Sequence, residues 1–147
     1  MRVIVFVKAT PESESGAPPT PELIEAMGKF NQELHEAGIL LMAEGLKPTA
    51  HAKRVAFNGA TRTVTDGPFT ETHEIVAGFW LWDVKDMNEA VAWVQRCPNP
   101  MTTPSDIDIR PIFSEAEFEA MLPEHLIPIR RDRIAREQAD HASRQTP

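Results

Sequence analysis

The spacing of apolar and polar positions changes several times along the chain, and each change marks an element. Arg2 to Lys8 (RVIVFVK) is apolar on both alternating faces, the pattern of a central strand covered on two sides. Ala9 to Pro21 is rich in Pro, Ser, Gly and Glu and reads as a long loop. Thr20-Pro21-Glu22 then starts a helix: an N-cap hydroxyl, a proline at the first helical position and an acid at the positive helix end. Leu23, Met27, Phe30 and Leu34 recur at helical spacing until Ala37-Gly38 ends the helix. Ile39 to Leu46 predicts a second strand. Arg54 to Phe57, Asn58-Gly59 and Thr61 to Thr65 predict a hairpin, because Asn-Gly suits a tight turn. Asp66-Gly67-Pro68-Phe69 breaks that pattern with three turn-forming residues. Ile75 to Val84 predicts a strand carrying Phe79, Trp80 and Trp82, and Asp86 caps a second helix whose stripe is Met87, Ala90, Val91 and Val94. Asn99 to Ser105 is a loop and Ile107 to Phe113 the last strand. Ser114 and Glu117 make a capping box for a short helix through Met121. Beyond Pro123 apolar residues thin out and arginines alternate with acids. That tail reads as a solvated helix or a partly disordered segment, with docking on a partner subunit as the alternative.

Without the hairpin the order is βαββαβ, so the expected fold is α+β and ferredoxin-like with an inserted β-hairpin, over residues 1–121, followed by a polar tail over 122–147. Two helices cover one face of such a sheet, while the strands bearing Ile4, Phe6, Trp80 and Trp82 are apolar on both. A two-fold homodimer of the dimeric α+β barrel type would supply the second cover.

Composition narrows the function classes. A chain of 147 residues with 41% hydrophobic content is the size of one domain, and no apolar run nears the roughly 20 residues of a membrane span. The first apolar stretch is too short for a signal-peptide core. A net charge of −7 argues against nucleic acid as a partner, since that binding needs a basic surface. Cys97 is the only cysteine, which excludes an intramolecular disulfide and leaves it as a part-buried residue at a helix end or, less simply, a nucleophile. These features point to a cytoplasmic protein.

The stretch Val64 to Glu74 (VTDGPFTETHE) resembles the signature of the DGPF subgroup of YCII-related proteins. Gly38 to Leu46, Gly78 to Trp82, Arg96 to Pro100 and Ile107 to Pro111 agree with it, so the resemblance spans Met1 to about Phe118. It implies a ferredoxin-like fold that pairs into dimers, and no settled activity: most members are of unknown function, with a few linked to enzymes or to sigma-factor regulation. The family usually has lysine where this chain has His73, replacing a permanent cation by a group that titrates near neutrality. The histidine–aspartate pair of the smaller members has no counterpart: His35 lies only near the end of the first helix, and Cys97 to Pro100 holds no acid.

Candidate chemistry gathers at that motif. Asp66, Glu71, His73 and Glu74 lie within nine residues, and a carboxylate beside an imidazole is a workable acid–base pair. Glu44 joins them if its strand neighbours the hairpin, Lys8 and Arg110 could hold a ligand carboxylate, and Trp80 and Trp82 could line the pocket. The plainer reading gives Asp66 the role of holding the turn, Glu71 and His73 a weak surface pair, the tryptophans the core, and Arg110 an ion pair with Asp108. The histidines have no metal-ligand spacing, and no Walker, Rossmann or nucleophile-elbow pattern occurs, so neither metal nor cofactor is expected. The expectation is a small-molecule binder with its pocket near the turn, and with it a cofactor-free acid–base enzyme. The alternative is a non-catalytic dimeric interaction or regulatory protein, accessory to transcription, or a purely structural dimer module whose turn only fixes the fold.

Overall fold

The computed structural model describes residues 1–71 and 73–145. Along β1 (Arg2–Lys8), Val3, Val5 and Val7 are buried while Ile4 and Phe6 are half-buried, the two-residue alternation of a strand between two unlike faces. A short helix α1 (Pro11–Glu14) follows, then α2 (Pro21–Glu36), β2 (Leu40–Gly45), the hairpin β3 (Lys53–Asn58) and β4 (Thr61–Asp66), β5 (Val76–Asp83), α3 (Met87–Arg96) and β6 (Ile107–Pro111). Among the described residues the strands make a four-stranded antiparallel sheet in the order β2-β5-β1-β6 and a separate sheet of β3 and β4.

Register decides which side chains meet. Val5 pairs with Trp80 and Val3 with Trp82, and all four are buried. Phe30 of α2 meets the edges of Trp80, Trp82 and Trp93, with ring centroids 6.0, 6.3 and 6.3 Å apart. Leu34 of α2 and Ala90 of α3 complete this core. Ile4 pairs with Leu81 and Phe6 with Phe79, so the odd and even positions separate cleanly onto two faces. Trp80 and Trp82 therefore belong to the helix-covered face, and the apolar groups of the other face are Ile4, Phe6, Phe79 and Leu81.

The helix starts follow the side-chain chemistry: Thr20 accepts from the Leu23 N–H and Asp86 from the Glu89 N–H. The segment 9–21, expected as loop, holds α1, because Thr10 and Ser13 form a reciprocal cap. Gly59 takes φ +58° at the hairpin turn, the region the Asn-Gly pair favours.

By contacts the chain forms two units, Met1–Ile112 and Phe113–Pro147. Within the second, Ser114 and Glu117 form the expected capping box at α4 (Glu115–Glu119), and the tail is helical over α5 (Ile127–Arg144). Arg131 grips Glu119 through two bonds of 2.7 Å, and that hydrogen-bonded guanidinium holds the Glu119 carboxyl below its usual range. Among the described residues no helix is long and apolar enough to cross a membrane.

Candidate functional site

A cavity of about 730 Å³ lies in the first unit, and small residues explain it. On the sheet, Ala43 pairs with Trp80 and Gly45 with Gly78, and Ala77 follows beside them. A Cβ added at Gly78 would come within 2.9 Å of the Glu44 carbonyl oxygen, so the strands themselves approach closely here. On α2, Leu23, Met27 and Asn31 line the facing wall together with Gly28. With almost no side-chain volume on the sheet, α2 cannot close the gap that bulkier residues fill elsewhere. Thr10 to Pro19 and Pro100 to Thr102 border the remaining sides.

The cavity's polar groups are held by neighbours. The Trp80 Nε1–H donates to Asn31 Oδ1 at 2.8 Å, which fixes the amide and leaves its NH2 as a donor. Thr103 Oγ1 donates to Glu12 at 3.3 Å, joining α1 to the segment after α3. Glu14 accepts from both the N–H and the hydroxyl of Thr49, a buried residue in a single 3-10 turn (Thr49–His51).

Thr49 connects the cavity to the Asp66–Glu74 turn. Its Oγ1 accepts from the Phe69 N–H at 2.9 Å, while the Gly67 N–H donates to the Ala52 carbonyl at 2.9 Å. A Cβ at Gly67 would lie 1.6 Å from the Thr49 carbonyl oxygen, so only glycine allows this approach. Arg54 covers the Phe69 ring at 3.9 Å. The turn thus rests on Thr49, and Thr49 holds Glu14 on the cavity wall.

The candidate residues are dispersed by this arrangement. Asp66 is exposed and paired with Lys53 across the hairpin. Glu71 and His73 are exposed, and among the described residues no ion pair or side-chain hydrogen bond joins them. Thr72, within the same motif, lies outside the described residues. None of Asp66, Glu71 or His73 lines the cavity. The expected convergence of Asp66, Glu71, His73 and Glu44 is corrected here, for a topological reason: β2 pairs with β5 while the hairpin pairs only with itself, so Glu44 and Asp66 lie in separate sheets.

Lys8 is buried, with its ammonium 3.3 Å from Asp108 and 3.7 Å from Glu74, so its charge is already committed. Arg110 is exposed opposite Ile4 and is also absent from the cavity wall. Trp80 lines the cavity and Trp82 is fully buried in the core. Burial pushes the Cys97 thiol up to about 11, and its Sγ lies 3.2 Å from the Pro98 carbonyl, so it is a protonated packing residue. Thr49 and α1 were missed by the sequence reading, since neither carries apolar periodicity. The clustering of Gly28, Ala43, Gly45, Ala77 and Gly78 was the available signal for a hollow.

Comparison with known proteins adds a family. The model of the YCII-related domain matches residues 1–115. An uncharacterized protein of Rhizobium meliloti (strain 1021) is 32% identical over 77 residues, a stretch covering 52% of this chain and 62% of that relative. Among solved structures, the 5-chloro-2-hydroxyhydroquinone dehydrochlorinase of Burkholderia phenoliruptrix, in complex with 2,5-dihydroxybenzoquinone, aligns over 80% of this chain and 99% of that chain, at 13% identity and a TM-score of 0.42.

Proposed function

The chain belongs to the YCII-related family, and from that premise we propose that it binds a small molecule in the cavity between α2 and the β2–β5 edge, with the DGPF turn as a brace for one wall. The cavity carries this reading. At about 730 Å³ it falls within the roughly 300–1,000 Å³ of small-molecule sites, and it combines an apolar lining with a few fixed polar groups. The acid–base roles expected of Asp66, Glu71 and His73 draw no support from exposed side chains without a shared hollow, so the reading is one of binding. The strand order favours a ferredoxin-like βαββαβ plan with β3 and β4 as the inserted hairpin.

A fragment screen read by thermal shift and by Trp80 fluorescence tests the site. Gly28 lines the cavity, and a Cβ there meets nothing within 4 Å. Gly28→Leu should fill part of the space while adding about 1 kcal/mol of helix propensity. The expected outcome is fragments that bind the wild type and fail on Gly28→Leu. Fragments lost on Asp66→Asn or His73→Ala but kept by Gly28→Leu would return the site to the turn.

The second face of the sheet supports a homodimer. Ile4–Leu81 and Phe6–Phe79 are adjacent cross-strand pairs and form an apolar stripe on the face opposite the Trp80–Trp82 core. Leu81→Glu should convert a dimer to a monomer in sedimentation experiments, and a monomeric wild type would remove this reading.

A further inference from the structure

The cavity wall carries one sign of charge. Two glutamates of α1, Glu12 and Glu14, line it, and among the described residues no lysine, arginine or histidine does; Glu44 borders it through its backbone, since pairing with Phe79 puts its side chain on the opposite face of the sheet. Two lysines, Lys8 and Lys47, adjoin lining residues in sequence without lining the wall themselves. Lys8 follows Val7, which lines the wall, but its ammonium sits between Asp108 and Glu74. A ligand carboxylate or phosphate entering here would give up hydration, find no cation on the wall and face two carboxylates.

The same groups suit a different head. Carboxylates are acceptors only, so they receive hydrogen bonds from an ammonium or a hydroxyl. Asn31 offers an NH2, because its oxygen is taken by the Trp80 indole, and that donor can be received by a hydroxyl oxygen but not by an ammonium. Trp80, Met27 and Met101 give the body of a ligand an apolar and polarizable surface. Resting on the reading of this cavity as a binding site, we propose that it selects a ligand with an apolar body and a non-anionic, hydrogen-donating head, an amine or a hydroxyl, and rejects the carboxylate of the same skeleton. The ligand class is thus the opposite of the anion that Lys8 and Arg110 were expected to hold.

One matched series tests this on the full chain: phenylpropylamine, phenylpropanol and phenylpropanoate, titrated by Trp fluorescence and thermal shift. The amine and the alcohol should bind and be lost on Gly28→Leu, with the carboxylate weaker by about tenfold or more. Glu12→Gln should narrow that gap; Glu14 is left intact because Thr49 depends on it. Equal affinity for all three probes, or a gap unchanged in Glu12→Gln, overturns the charge selection while leaving the cavity as a site. No binding by any probe, with no fragment sensitive to Gly28→Leu, overturns both.

Discussion

The four-stranded sheet and the β3–β4 hairpin are both antiparallel, both register-matched and both built from β-prone residues, yet they are held by different things. In β5, Trp80 and Trp82 alternate with half-buried Phe79 and Leu81. In β3 and β4 every residue is exposed, including Val55, Phe57 and Val64. An isolated two-stranded hairpin is marginal in water, so its persistence depends on its base. That base is the set of contacts around Thr49 and Gly67, where the hairpin returns to the sheet-bearing part of the chain. The lesson is that a strand pattern reports local conformation, while burial reports which strands the fold depends on.

The contrast can be broken most forcefully at Trp82, which is fully buried. Trp82→Ala should cost about 3–5 kcal/mol in urea unfolding. Trp82→Phe should cost much less, because it removes an indole N–H that has no hydrogen-bond partner among the described residues. A loss near zero for Trp82→Ala would undo the placement of the core. Next comes Gly67→Ala, whose Cβ would collide with the Thr49 carbonyl. It should lose the upper part of the roughly 1–3 kcal/mol range of overpacked sites. Faster amide exchange should also appear in β3 and β4 but not in β5. Thr49→Val keeps the volume and removes the hydroxyl shared by Glu14 and Phe69. About 1 kcal/mol should be lost, together with weaker retention of whatever fragment occupies the cavity. Phe57→Ala sits at the other extreme: with 72% exposure it should change stability by no more than about 0.5 kcal/mol, measured in the same denaturation series.

The architecture was legible because its signals are local. Alternation in Arg2–Lys8 and around Trp80, the helical stripe of Leu23, Met27, Phe30 and Leu34, and the caps at Thr20, Asp86 and Ser114 depend on near neighbours in sequence. The Asn58-Gly59 turn is of the same kind. The site was less legible because it is built over distance. Thr49 meets Glu14 35 positions away and Phe69 20 positions away, and nothing in the segment around Thr49 has a period to read. The motif at Asp66 drew attention for its ionisable side chains, whereas its tightest constraint belongs to Gly67, which has none. The cavity itself comes from missing side chains on α2, β2 and β5, and a hollow formed by small residues shows only when the strands are paired.

Lys8 gives the segment between β4 and β5 one firm foot. Its side chain is 11% exposed, with Asp108 and Glu74 at 52% and 80%, whereas both members of the Lys53–Asp66 pair at the other end are open at 67% and 72%, so dissolved salt reaches the second pair more fully. Rising ionic strength should therefore loosen the hairpin end first and leave the entry to β5 in place.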